Sequence, residues 1–73
     1  MVEDERIAKQ ISDLMVEFSH RLDGSIALVM ESCSDEEFKA YRTAVSKILV
    51  EILFQVMNPL YQRHPGLKPA GLK

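Results

Sequence analysis

Apolar residues follow a helical spacing through the first half of the chain. Steps of three and four residues place them in one stripe on a helix with about 3.6 residues per turn. The stripe consists of Ile7, Ile11, Leu14, Phe18, Leu22, Ile26, Val29 and Cys33. It passes Gly24 without a change of phase, although a glycine inside a helix costs roughly 1 kcal/mol relative to alanine. The pattern predicts one continuous helix over residues 3–32, whose acidic first turn suits the helix dipole.

The start of a second helix is marked by Ser34 and Glu37, which have the spacing of a capping box. The Ser34 hydroxyl is expected to accept from the backbone N–H of Glu37, while the Glu37 side chain reaches back to Ser34. The helix is predicted over residues 35–58, because Pro59 has no N–H and disfavours helical geometry before it. One further turn over 60–63 is possible if the helix restarts with Pro59 in its first position. The inner face is predicted to hold Phe38, Tyr41, Val45, Ile48 or Leu49, Ile52 and Val56.

Two long helices joined by a short turn predict an all-α fold, a long antiparallel helical hairpin. A turn at residues 33–34 places Tyr41 beside Ile26, and apolar positions then meet along the whole length, which supports the hairpin. Cys33 is in phase with the first stripe and is expected to be a small buried hydrophobe. Residues 1–63 form one domain in this interpretation. Residues 64–73, rich in Pro and Gly, form an extended, flexible tail.

The second helix carries an additional apolar stripe on its outer face. A surface helix normally buries one stripe and exposes the opposite face to water. The additional stripe consists of Val50, Leu53, Phe54, Met57 and Tyr61. A chain of 73 residues has little other material to cover it. We therefore expect a homodimer in which two hairpins form a four-helix bundle about a two-fold axis. The tail, through Leu67 and Leu72, is expected to lie in a groove of the partner subunit, and a different protein partner is the alternative.

Charge and composition narrow the functional classes. Residues 1–37 carry ten acidic and three basic side chains (−7), whereas residues 38–73 carry one and six (+5), which gives the net charge of −2. This division suits attraction between the two helices and disfavours nucleic acid. Cys33 is the only cysteine, so no disulfide forms within the chain. The first residues lack a signal peptide, and no apolar run exceeds five residues. A cytoplasmic protein without a membrane segment is expected.

Candidate chemistry is sparse. Glu17 and His20 match the Glu-x-x-His pair of di-iron four-helix proteins, but both lie far from the core stripe, whereas true ligands point into the bundle. No catalytic residue, metal ligand or cofactor site is assigned. The basic segment 61–64, with Lys68 and Lys73, leaves an RNA-binding hairpin dimer as an alternative, and a di-metal protein using Glu17 and His20 as a second. The favoured interpretation is a non-enzymatic protein–protein interaction module acting as a homodimer.

Overall fold

Two antiparallel helical rods form the hairpin, as a computed structural model shows for residues 1–69. The first rod is α1, Glu5–Ser32. The second consists of α2 (Asp35–Ile52), one π-helical turn (Leu53–Met57), which we call the wide turn, and α3 (Asn58–Arg63). A short 3₁₀ turn, Pro65–Leu67, follows this rod. The molecule measures 44 × 19 × 16 Å. The all-α hairpin predicted from the sequence is thereby confirmed.

Both long helices begin at side-chain caps. Asp4 Oδ1 accepts hydrogen bonds from the backbone N–H groups of Arg6 (2.8 Å) and Ile7 (3.2 Å), so α1 starts two residues later than predicted. Ser34 Oγ accepts from the N–H of Glu37 at 3.2 Å, as the capping box requires. The Ser34 hydroxyl also donates a hydrogen bond to the Glu37 carboxylate at 3.2 Å. The carboxylate was expected to accept from the backbone N–H of Ser34 instead.

Cys33 is exposed, which corrects the expectation that it is buried. Its backbone is extended, with φ −126° and ψ 172°, because it is the residue that follows the end of α1 at Ser32. The helical phase that placed Cys33 in the apolar stripe therefore no longer applies at this position.

Gly24 lies inside α1 without interrupting it, as the unbroken apolar phase predicted. Apart from the neighbouring residues and the backbone of its own helix, a Cβ added at Gly24 would have no heavy atom within 4 Å. We expect Gly24→Ala to raise the free energy of unfolding by about 0.5–1 kcal/mol, because alanine loses less backbone entropy on folding. Chemical denaturation at fixed protein concentration measures the change, and Gly66→Ala outside the helices is the control. A loss of stability would show that another chain packs against Gly24.

Side-chain contacts set the register of the two rods. The hydroxyls of Ser25 and Tyr41 share a hydrogen bond of 2.7 Å near the turn. At the end of the hairpin opposite the turn, which we call the open end, Arg63 forms an ion pair with Glu3. The register therefore lies within one residue of the prediction, which placed Ile26 beside Tyr41.

Pro59 widens the helix before it instead of ending it. The N–H of Asn58 bonds to the carbonyl of Leu53, five residues back, where a regular helix would bond four back. Such a turn takes in one extra residue. It also gives the Pro59 ring space beside the carbonyls of the preceding turn, to which Pro59 cannot donate a hydrogen bond because it has no N–H. Each residue of a helix turns the chain by about 100°, so everything after the wide turn is rotated by roughly that amount.

The rotation places the core at the open end of the hairpin. Met57 follows the inner residue Ile52 by five positions, and Met57, Leu60 and Tyr61 pack around the fully buried Ala8 of α1. Partly buried neighbours complete this cluster: Val2, Ile11, Met15, Val16, Ile52, Leu53 and Leu67. Toward the turn end, Val45 is the buried residue of α2.

Candidate association surface

The outer stripe predicted to carry the dimer interface is not one surface. Met57 and Tyr61 are each 5% exposed and belong to the chain's own core, and Leu53 is half-buried against that core. Only Val50 (48%) and Phe54 (60%) remain exposed. The prediction assumed a regular helical period, and the wide turn moved Met57 and Tyr61 to the inner face.

Near its N-terminus, helix α1 turns two small residues, Ala8 and Ser12, toward the second rod. Ala8 is fully buried, Ser12 is 3% exposed, and the hydroxyls of Ser12 and Tyr61 share a hydrogen bond of 2.6 Å. Ala8 and Ser12 lie beside the apolar stripe rather than in it. The face of α1 that packs on the second rod is therefore turned away from the middle of the stripe, and only part of the stripe is buried. Its residues Ile7, Leu14 and Phe18 are left facing solvent.

A groove runs between the two rods on the side of this exposed stripe. Its apolar walls are Leu14, Phe18 and Leu22 from α1 and Tyr41 from α2, and its volume is about 430 Å³. Ile48 follows Tyr41 by two helical turns and so lies on the same face of α2. We call this surface the groove face; it comprises Ile7, Leu14, Phe18, Leu22, Tyr41 and Ile48. Ile7, Leu14, Phe18 and Ile48 are between 42% and 52% exposed.

Two opposite charges border the groove. Glu17 and Arg21 lie one helical turn apart on α1 and both line the groove. Although the i, i+4 spacing allows an ion pair within a helix, neither takes part in one within residues 1–69. Both charges are therefore available to a partner.

The structure does not assemble the candidate metal ligands. Glu17 lines the groove, whereas Glu51, the only acidic side chain of the second rod beyond its first turn, lines a separate shallow groove with Val50. His20 is exposed. Across residues 1–69, no group of three or more His, Cys, Asp or Glu side chains is placed to hold a metal ion.

The residues after the second rod pack on their own chain, which corrects the expected loose tail for residues 64–67. His64 is half-buried, and its Nε2 donates to the carbonyl of Val2 at 2.7 Å. Leu67, predicted to lie in a groove of the partner subunit, packs against the core cluster of its own chain. Leu72 lies outside the described residues.

The basic cluster considered for RNA binding is also changed. Tyr61 is buried, and Arg63 donates to the Glu3 carboxylate. This hydrogen bond and the guanidinium charge lower the pKa of Glu3. Of the aromatic and basic side chains in segment 61–64, none is therefore both exposed and unpaired.

By length and composition alone, the rod Asp35–Arg63 is apolar enough to cross a membrane. It has 29 residues, and its most apolar 18-residue stretch has a mean hydropathy of 1.2. The core helix of a water-soluble protein, which is mostly buried, meets the same criterion. In this chain 17% of the stretch is buried. The expectation of no membrane segment, which rests on run length, therefore stays a prediction.

Comparison with protein-family models, curated proteins and solved structures finds no match for this chain.

Proposed function

We propose that this chain is a non-enzymatic helical interaction module whose working form is a homodimer, joined through the groove face. The observation that carries the proposal is the exposed apolar surface that extends over both rods at Leu14, Phe18 and Ile48. Single exposed apolar residues are common on proteins, whereas a contiguous exposed apolar surface usually marks an interaction site. Val50 and Phe54, on the other side of α2, form a smaller patch.

The exposed area supports this proposal. A compact protein of 8.3 kDa has about 4,600 Å² of accessible surface by the usual scaling with mass. This chain has 5448 Å². The excess, about 850 Å², is a property of the whole elongated hairpin, and a standard interface buries roughly 800 Å² of each partner. The chain therefore has surface enough for one such interface, and a second copy supplies an equal area.

The shape of the surface also suits a second hairpin. A four-helix bundle needs two helices of each subunit on its interface, and the groove face has side chains from both rods. The outer patch at Phe54 belongs to one rod alone. The groove face is therefore the better candidate for a bundle, and it replaces the stripe chosen from the sequence.

Two matched substitutions test the proposal. We expect Phe18→Glu to convert the dimer into monomers and to raise the dissociation constant at least about 100-fold, because two unpaired carboxylates would be buried at the interface. Phe54→Glu makes the same chemical change on the outer patch and should leave the dimer intact. Light scattering coupled to gel filtration, over a range of concentrations, measures the native mass.

Circular dichroism of both variants shows whether the hairpin still forms, since Phe18 and Phe54 are both exposed in the single chain. A monomeric native chain at about 100 μM would contradict the proposal. So would a dimer that withstands Phe18→Glu but dissociates with Phe54→Glu, which would place the interface on the outer patch.

A further inference from the structure

We infer that the two hairpins pack antiparallel, with α1 against α1 of the second copy, and that two ion pairs between Glu17 and Arg21 join them. This inference rests on the proposed homodimer and adds its geometry. In this arrangement the two-fold axis passes Phe18 of α1 and Ile48 of α2. Each turn end then lies beside the open end of the other copy.

The charges bordering the groove favour this geometry. Glu17 and Arg21 lie on the same edge of α1. When two copies of a helix pack antiparallel about a two-fold axis, equivalent edges lie side by side and run in opposite directions. Glu17 of each copy then meets Arg21 of the other, which gives two ion pairs. When the two hairpins instead point the same way, about a two-fold axis along the rods, α1 packs against α2 of the second copy, so the two pairs do not form.

The charges at the two ends favour it as well. At the open end, residues 1–9 and 60–69 hold three acidic and four basic side chains, a balance of +1. At the turn end, residues 28–42 hold four acidic and two basic side chains, a balance of −2. Antiparallel packing brings ends of opposite sign together. Parallel packing brings the two acidic turn ends together, and like charges repel.

The apolar residues are placed to meet across the same axis. The contact between Ser25 and Tyr41 sets a register in which Phe18 and Ile48 lie at nearly the same height along the hairpin. An axis at this height pairs Phe18 with Phe18 and Ile48 with Ile48 of the second copy. On α1 it also places Leu14 opposite Leu22, so both exposed rows of the groove face are covered.

The distance between the two Cys33 residues tests this geometry without any substitution. Cys33 is exposed and is the only cysteine, so one spin label attaches per chain. It lies fifteen residues beyond Phe18, and a rise of about 1.5 Å per residue on each side of the axis gives a separation of about 45 Å. A parallel dimer brings the two labels within roughly 25 Å. Pulsed electron spin resonance resolves these distances, and the shorter one would overturn the inference.

A charge exchange tests the ion pairs separately. In Glu17→Arg homodimers, and likewise in Arg21→Glu homodimers, equal charges face each other, and we expect the dissociation constant to rise roughly tenfold. Mixing the two variants restores both attractions, so native mass spectrometry should show heterodimers well above the statistical half, at about 90%. A heterodimer fraction near one half, with both variants dimerising like the native chain, would overturn the inference while leaving the dimer standing. A monomeric native chain would instead overturn the proposed function.

Discussion

Leu60→Ala is expected to lower the free energy of unfolding by about 2–5 kcal/mol, the largest loss that we expect from a single truncation in this chain. Leu60 is 0% exposed and belongs to the core cluster with Ala8, Met57 and Tyr61. The loss combines the transfer of a buried isobutyl group with the cavity it leaves. At about 0.05–0.15 kcal/mol per residue, a chain of this length has roughly 4–11 kcal/mol of stability in total. The variant should therefore lose a large part of its stability.

Denaturation with urea, followed by circular dichroism at fixed protein concentration, measures this change. Met30→Ala is the matched control, because Met30 is 56% exposed and lies away from the groove face. Its effect should stay below about 0.5 kcal/mol. Equal losses in the two variants would show that Leu60 is not in the core, and that the second rod does not rotate after the wide turn.

Ala8→Leu is expected to destabilise the hairpin by about 1–3 kcal/mol through overpacking. Ala8 is fully buried where α1 meets Met57, Leu60 and Tyr61, so three additional carbons have no space there. The neighbouring hydrogen bond between Ser12 and Tyr61 should be displaced, and tyrosine fluorescence reports its loss, since the chain has no tryptophan.

Ala27→Leu makes the same change at an exposed position of α1 and should be nearly neutral. A neutral Ala8→Leu would mean that the two rods are further apart at the open end than the contacts around Ala8 indicate.

The elements of the hairpin were readable from the sequence because their signals are local. The capping box at Ser34 acts within one turn, and the apolar phase through Gly24 extends over neighbouring turns of a single helix. The register was close for a similar reason: a short turn leaves two rods little freedom to slide. These features depend on residues that are near one another in the chain.

The burial of Met57 and Tyr61 was not predicted, because it depends on helical phase over a longer distance. The sequence predicts that the helix stops or restarts at Pro59, whereas in the structure the turn before Pro59 takes in one extra residue. A shift of one residue then exchanged the inner and outer faces for Met57 and Tyr61. The small residues Ala8 and Ser12 beside the apolar stripe were the remaining signal, since small side chains allow two helices to approach closely.

Taken by itself, the sequence determined the two helical rods, their caps and the turn between them, because helix formation and capping depend on residues within a few positions of each other. Only the tertiary structure decided which faces of the rods meet. That choice depends on how Ala8, Leu60 and Tyr61 fit together in space, and on a widened turn whose effect accumulates along the helix. The exposed groove face is what remains after that packing is complete, and so it could be located only once both rods were in place.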